Sequence, residues 1–183
     1  NDLKYSLAYG TLLGAVRHQG FIPWDDDIDV MMIRSEYDKF RSIIQKELDS
    51  DNFLFVDNTV DPKFYYGFSK IRSKNVMMPE RSTAYLGIEQ GVWIDVFPYD
   101  AVPNDEALAL KQRKKVKFYH NLMVAFVFTY ASKEDRGISK FIKSLFSNFN
   151  RLTRNWVKPR QMIYDLQFKE ITKYNDSNYD RNN

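Results

Sequence analysis

The 183-residue chain contains no cysteine and only two histidines, His18 and His120. Those absences exclude disulfide frameworks, zinc fingers, thiol nucleophiles and any multi-histidine metal cage. A metal bound by this chain therefore sits on oxygen. Glycine is scarce, with seven residues; none precedes a lysine and no two are separated by a single residue, so neither a P-loop nor a GxGxxG fingerprint is present. Long apolar runs are missing too: the longest, residues 122–130, is about half of the roughly 20 residues that span a bilayer and reads as a buried helix. No signal peptide is visible, and a start without an initiator Met reads as trimmed. A cysteine-free chain of this kind fits a reducing compartment, so the expected location is cytoplasmic.

Large apolar side chains are plentiful. Fourteen Phe and twelve Tyr within a 44 % hydrophobic composition cannot all stay solvated, so the chain is globular. Its length suits one domain, expected over 1–183. The net charge of +3 hides an asymmetry: residues 1–110 carry 11 Lys/Arg against 18 Asp/Glu, whereas residues 111–183 carry 16 against 6. A basic second half is either a set of solvated helix faces or a surface for an anionic partner, including peripheral contact with the inner face of a membrane. No nucleic-acid reading motif accompanies it, so nucleic acid is not an expected partner.

Strand signals dominate the first part and helix signals the second. Short β-branched and aromatic runs bounded by Pro, Gly, Asn or Asp predict strands at 27–33, 53–57, 64–72, 75–78 and 91–97. Between them, apolar positions at 37, 40, 43, 44 and 48 predict a helix over 36–49 capped by Ser35. Helices are predicted from Asn104 to about 131, at 139–149 and at 160–173 after Pro159, followed by a frayed polar tail, 175–183. The fold class is thus α+β, with a sheet-containing core over 1–103 and a helical part over 104–174.

The chemistry concentrates in PWDDDIDV at 23–30. On an extended strand Asp25, Asp27 and Asp29 share one face, and Asp26, Ile28 and Val30 the other. Like charges at that spacing raise one another's pKa unless a cation sits among them. Hard oxygen ligands favour Mg²⁺ or Mn²⁺, and a pair of such ions suits in-line phosphoryl transfer. An EF-hand reading fails, because Val30 stands where the calcium loop needs Gly. A further acid, Asp95 in WIDVF, lies between apolar neighbours; a buried acid needs a partner, and the same ions would supply it.

The runs GTLLGAVRHQGFIPWDDDIDV at 10–30, KIR at 70–72 and WIDVFPYD at 93–100 closely resemble the LicD family of phosphotransferases, whose relatives include fukutin and fukutin-related protein. The resemblance covers about the first hundred residues. It implies a nucleotidyltransferase-like mixed β-sheet with flanking helices, in which a Gly-Thr turn (Gly10, Thr11) precedes an Asp-x-Asp strand (Asp27, Asp29) and a third Asp (Asp95). It also implies transfer of a phospho-alcohol, such as phosphocholine or phosphoribitol, from a CDP-alcohol donor to a hydroxyl of a cell-surface glycan, lipopolysaccharide or teichoic acid being the type, with release of CMP. The family's upstream helix and its aromatic-rich C-terminal stretch are largely missing, which fits a trimmed or short member.

With that frame, Asp27, Asp29 and Asp95 are the candidate catalytic metal ligands, Asp95 also a proton acceptor, and Asp25 a secondary ligand. Gly10 and Thr11 offer a phosphate cradle. Arg17, placed in the loop before the acidic strand, either grips a phosphate or pairs with an acid. Lys70 and Arg72 share a strand face and either neutralise the leaving nucleotide or form cross-strand ion pairs. His18 beside Arg17 is more often a surface residue than an acid or base. A DxD glycosyltransferase, a nucleotidyltransferase that leaves its nucleotide on the acceptor, and an inactive glycan- or partner-binding relative are the competing readings.

Overall fold

Five short strands form one mixed sheet in the order β1-β2-β5-β4-β3. In the computed structural model, which describes residues 2–80, 83–127 and 137–175, the order along the chain is β1 (Ser6–Leu7), α1 (Tyr9–His18), β2 (Ile28–Ile33), α2 (Arg34–Glu47), β3 (Phe53–Val56), β4 (Ser69–Ser73), β5 (Trp93–Tyr99), α3 (Glu106–Val127), α4 (Gly137–Leu152) and α5 (Val157–Ile171). The expected α+β class is the one observed. Residues up to Met78 together with Gln90–Asp100 form one compact unit holding the sheet; Pro79–Glu89 and the residues from Ala101 onward form a second, helical one.

In the sheet unit, strand alternation sorts the side chains. Val30 and Met32 on β2, Ile94 and Val96 on β5, Ile71 on β4 and Phe55 on β3 share a face, and α2 packs Tyr37, Phe40, Ile44 and Leu48 onto it. Phe40 meets Phe55 edge to face with centroids 5.8 Å apart. The opposite face carries Asp29, Asp95, Lys70 and Arg72. β2 and β5 are parallel; every other pairing is antiparallel, and the crossover between β2 and β5 runs through α2, β3 and β4.

Several boundaries depart from the sequence reading. α2 begins at Arg34 after Ile33, so Ser35 lies inside its first turn and is not its cap. That end is anchored instead by Arg34, which donates two hydrogen bonds of 2.8 and 2.7 Å to Asp100. Only the end of the predicted 64–72 strand is a strand. Residues 64–68 are irregular, and their rings pack on one another, Phe64 on Tyr66 and Tyr66 on Phe68, each at 5.0 Å. Residues 75–78 form no strand. α5 starts two residues before Pro159, a position in the first turn where a missing N–H costs nothing. The part of the predicted 104–131 helix beyond 127, and the tail from 176, lie outside the described residues.

In the helical unit, Arg160 is 4 % exposed and, among the described residues, bonded to neutral oxygens. It donates to the carbonyls of Phe126 (2.9 Å), Thr153 (2.7 Å) and Asn150 (3.2 Å), and to Thr153 Oγ1 at 3.0 Å. The Asn150 and Thr153 carbonyls lie at the C-terminal end of α4, where a helix leaves acceptors unsatisfied and a cation meets the negative end of the dipole. Arg160→Leu removes the donors while retaining bulk, and is expected to destabilise the fold by about 2–3 kcal/mol through the orphaned carbonyls, measurable as a lowered urea midpoint.

Candidate active site

The parallel register of β2 on β5 sets Asp29 beside Asp95, and the antiparallel register of β4 on β5 sets Lys70 on the other side of Asp95. One row across three strands therefore reads acid, acid, cation. All three are buried, at 8, 6 and 2 % exposure. Lys70 Nζ stands 2.9 Å from Asp95 Oδ1 and donates a hydrogen bond of 3.2 Å to Oδ2. Its ammonium also lies 4.2 Å from the Trp93 ring centroid, with Tyr66 and Phe68 at 5.4 and 5.6 Å, an aromatic cage for a desolvated cation. Asp27, just before β2, completes the group: one carboxylate oxygen from each of Asp27, Asp29 and Asp95 lies within 4.8 Å of the others. Three hard oxygens converging without imidazole or thiolate fit a divalent ion of the magnesium type.

Electrostatics mark the same residues. Burial pushes the Asp27 carboxyl up from its ordinary value, and Asp25 and Asp26 push it further against the opposing pull of Lys70. Asp29 is raised by burial and then by Asp27 and Asp25, with the Gly10 backbone N–H and Lys70 acting the other way. Three carboxylates held together against repulsion indicate an arrangement that serves something other than stability.

The Gly10-Thr11 pair lies in the first turn of α1, not in an open turn. Thr11 Oγ1 accepts the Asp29 backbone N–H at 2.8 Å, and the Asp29 carbonyl accepts the Ala8 N–H at 3.0 Å. Thr11 and Ala8 thereby fix the Asp29 backbone. Gly10 also admits Asp25, whose carboxylate fills the space a Cβ would occupy. Gly14 is required for packing: a Cβ there would meet the Gly20 carbonyl oxygen at 2.6 Å, where the loop to Ile22 crosses α1.

Other predicted residues are distributed differently. Asp25 and Asp27 precede β2, so strand alternation does not govern them, and Asp25, Asp26 and Asp27 gather as a second acidic group with Asp27 common to both. Asp26, assigned by alternation to the opposite face, thus joins its neighbours. Arg17 is in the last turn of α1 and not in a loop; it is exposed, seven residues or about 10 Å along the helix from Gly10, and its Nε donates to His18 Nδ1 at 3.4 Å. The structure does not bring Arg17 to the carboxylates. Arg72 is 1 % exposed, donates to the Gly91 carbonyl at 3.2 Å and stacks at 5.3 Å over Trp93. Trp93 is the residue that sequence reasoning underused: its indole N–H is buried and points toward Asp27 without closing a well-aligned bond. Its place two residues before Asp95, on the same strand face, was the available signal. An apolar cavity of about 370 Å³ opens beside Asp25–Asp27, walled by Phe21, Ile28, Phe53, Ile71 and Ile94.

An α+β domain whose central strands converge acids around a caged lysine is a protein with a carboxylate-lined polar centre. The chain belongs to the LicD/FKTN/FKRP family: residues 2–129 match its nucleotidyltransferase domain. It is 33 % identical over 118 residues to the lipopolysaccharide cholinephosphotransferase LicD of Haemophilus influenzae, an alignment covering 63 % of this chain and 43 % of that protein. Shorter stretches match uncharacterized proteins of Rickettsia typhi (50 % over 44 residues, 24 % of this chain and 14 % of that protein) and Rickettsia prowazekii (56 % over 36 residues, 20 % and 14 %). The chain thus spans less than half the length of the relatives it matches. No solved structure matches it.

Proposed function

We propose that this domain transfers a phospho-alcohol, phosphocholine or phosphoribitol being the type, from a CDP-alcohol to a hydroxyl of a cell-surface glycan, with a lipopolysaccharide or teichoic-acid-type acceptor. The observation that carries the reading is the convergence of Asp27, Asp29 and Asp95 within 4.8 Å, on a chain whose relative is a lipopolysaccharide cholinephosphotransferase. Those three carboxylates would hold Mg²⁺ or Mn²⁺, two ions in the favoured arrangement, and Asp25 lies near enough to Asp27 to assist. Bound there, such ions neutralise charge on the diphosphate and its leaving oxygen. The proposed location is cytoplasmic, at the inner face of the membrane. Among the described residues no helix is long and apolar enough to cross it.

The reaction needs the acceptor oxygen to form a bond to the phosphorus that carries the alcohol, the bridging P–O bond to break, and CMP to leave. Asp95 already receives the Lys70 ammonium. The hydroxyl proton would pass to a carboxylate of the Asp27, Asp29 and Asp95 cluster. Gly10 and Thr11 act by holding Asp29 in register.

Product identity tests this. Full-length protein given CDP-choline, CDP-ribitol or CDP-ethanolamine, Mg²⁺ and lipopolysaccharide or teichoic acid is expected to release CMP and leave the phospho-alcohol on the glycan. Release of CDP from a nucleotide-sugar identifies a glycosyltransferase instead, and pyrophosphate release from a nucleoside triphosphate identifies a nucleotidyltransferase.

A further inference from the structure

α4 is built inside out. Its inward positions are small and polar: Ser147 and Asn150 are 7 and 0 % exposed, and Thr153, the residue after the helix, is 8 % exposed. The Asn150 and Thr153 carbonyls and Thr153 Oγ1 line the pocket of Arg160, and Asn150 Nδ2 donates to the Ala125 carbonyl at 3.1 Å. Burying a guanidinium requires oxygen-bearing walls, and Asn150 and Thr153 are thereby held to the interior. The apolar face is left outside. Phe141, Leu145, Phe149 and Leu152, spaced by four, four and three residues, form one stripe at 66, 54, 41 and 85 % exposure, and Trp156 follows at 58 %. A continuous apolar stripe on a protein surface marks an interaction site.

Charge selects the partner. No Asp or Glu occurs between Asp135 and Asp165, whereas Lys143, Arg151, Arg154 and Lys158 all lie exposed in that interval. A second copy of the chain would set these cations against their like. An exposed aromatic and leucine stripe flanked by basic charges, with no acid in the surrounding sequence, has the composition of an interfacial element on anionic lipid. We propose that α4 seats the protein on an anionic membrane surface, with Phe141, Leu145 and Leu152 entering the interfacial layer and Arg151 and the following Arg154 meeting lipid phosphates. The surface belongs to the helical unit and the carboxylates to the sheet unit, so this inference holds whichever donor the site takes.

Flotation with vesicles tests it. The full chain is expected to float with phosphatidylcholine vesicles that contain phosphatidylglycerol and to remain unbound with phosphatidylcholine alone, with tryptophan emission shifting to the blue on binding. Because Phe141 and Leu145 are exposed, the double variant Phe141→Asp, Leu145→Asp should retain its far-UV circular dichroism and bind about tenfold or more weakly. Equal binding by that variant, binding lost only on charge reversal in α3 (Lys114→Glu), or a wild-type dimer in solution that the double variant dissociates would each overturn the proposal.

Discussion

Replacing Asp29 by Asn is expected to lower phospho-alcohol transfer by about three orders of magnitude, the scale on which losing a preorganised charge-stabilising group acts, while leaving the metal-free protein at least as stable as the wild type. Asn has the shape of Asp, and its side-chain oxygen can still accept the Gly10 N–H. The Thr11 contact goes to the backbone and is untouched. What disappears is a negative charge packed against Asp95 and repelled by Asp27 and Asp25. The pH dependence has a definite sign. Folding raises the Asp27 and Asp29 carboxyls above 3.8, so the native state binds protons more tightly than the unfolded chain. The stability this contributes is complete below the ordinary carboxylate value and is lost as pH rises through the raised folded values. In EDTA the wild type should therefore gain melting temperature relative to Asp29→Asn as pH falls through that window. At pH 7 the variant should melt on the order of a few degrees higher. Divalent cations should reverse the ranking, stabilising the wild type more. Near-normal turnover by Asp29→Asn with Mg²⁺ would remove Asp29 from the site.

The acids were legible because four carboxylates in five positions beside Trp24 and Ile28 have no comfortable solvated explanation, and because Asp95 sits in an apolar strand. Their mutual geometry was only half legible. Alternation works from Ile28 onward, where backbone pairing enforces it, and fails for Asp25–Asp27, which lie ahead of the strand and fold back on α1. α1 itself was missed. It has two glycines, no side-chain cap after Ala8 and a first residue, Tyr9, at φ 42°, so tertiary contacts to β2 hold what propensity does not favour. The FYYGF run reads as strand by composition, yet its rings stack on one another and shield Lys70, a role that only the three-dimensional arrangement reveals. Likewise, nothing in KPR marks Arg160 as the cap of α4, because its acceptors are backbone carbonyls contributed by other segments.

Lys70→Met is expected to be the more damaging change for the fold. Methionine has similar length and packs well on aromatic rings, so the contacts with Trp93, Tyr66 and Phe68 survive and the loss is one of charge. Asp95, 6 % exposed and adjacent to Asp29, then loses the cation 2.9 Å away that offsets two neighbouring carboxylates. Removing one partner of a buried ion pair costs about 3–5 kcal/mol. For a chain of this size that corresponds to roughly 10 °C in melting temperature, read in EDTA at neutral pH. A divalent ion among Asp27, Asp29 and Asp95 brings back positive charge where the ammonium was lost, so Mn²⁺ should raise the melting temperature of Lys70→Met more than that of the wild type. Lys70→Arg separates charge from fit: it restores the cation but forces a larger planar group between Trp93 and Phe68, and should recover only part of the stability. If Lys70→Met melts with the wild type in EDTA and gains nothing extra from Mn²⁺, the row of acid, acid and cation across β2, β5 and β4 is not the electrostatic unit described for this site.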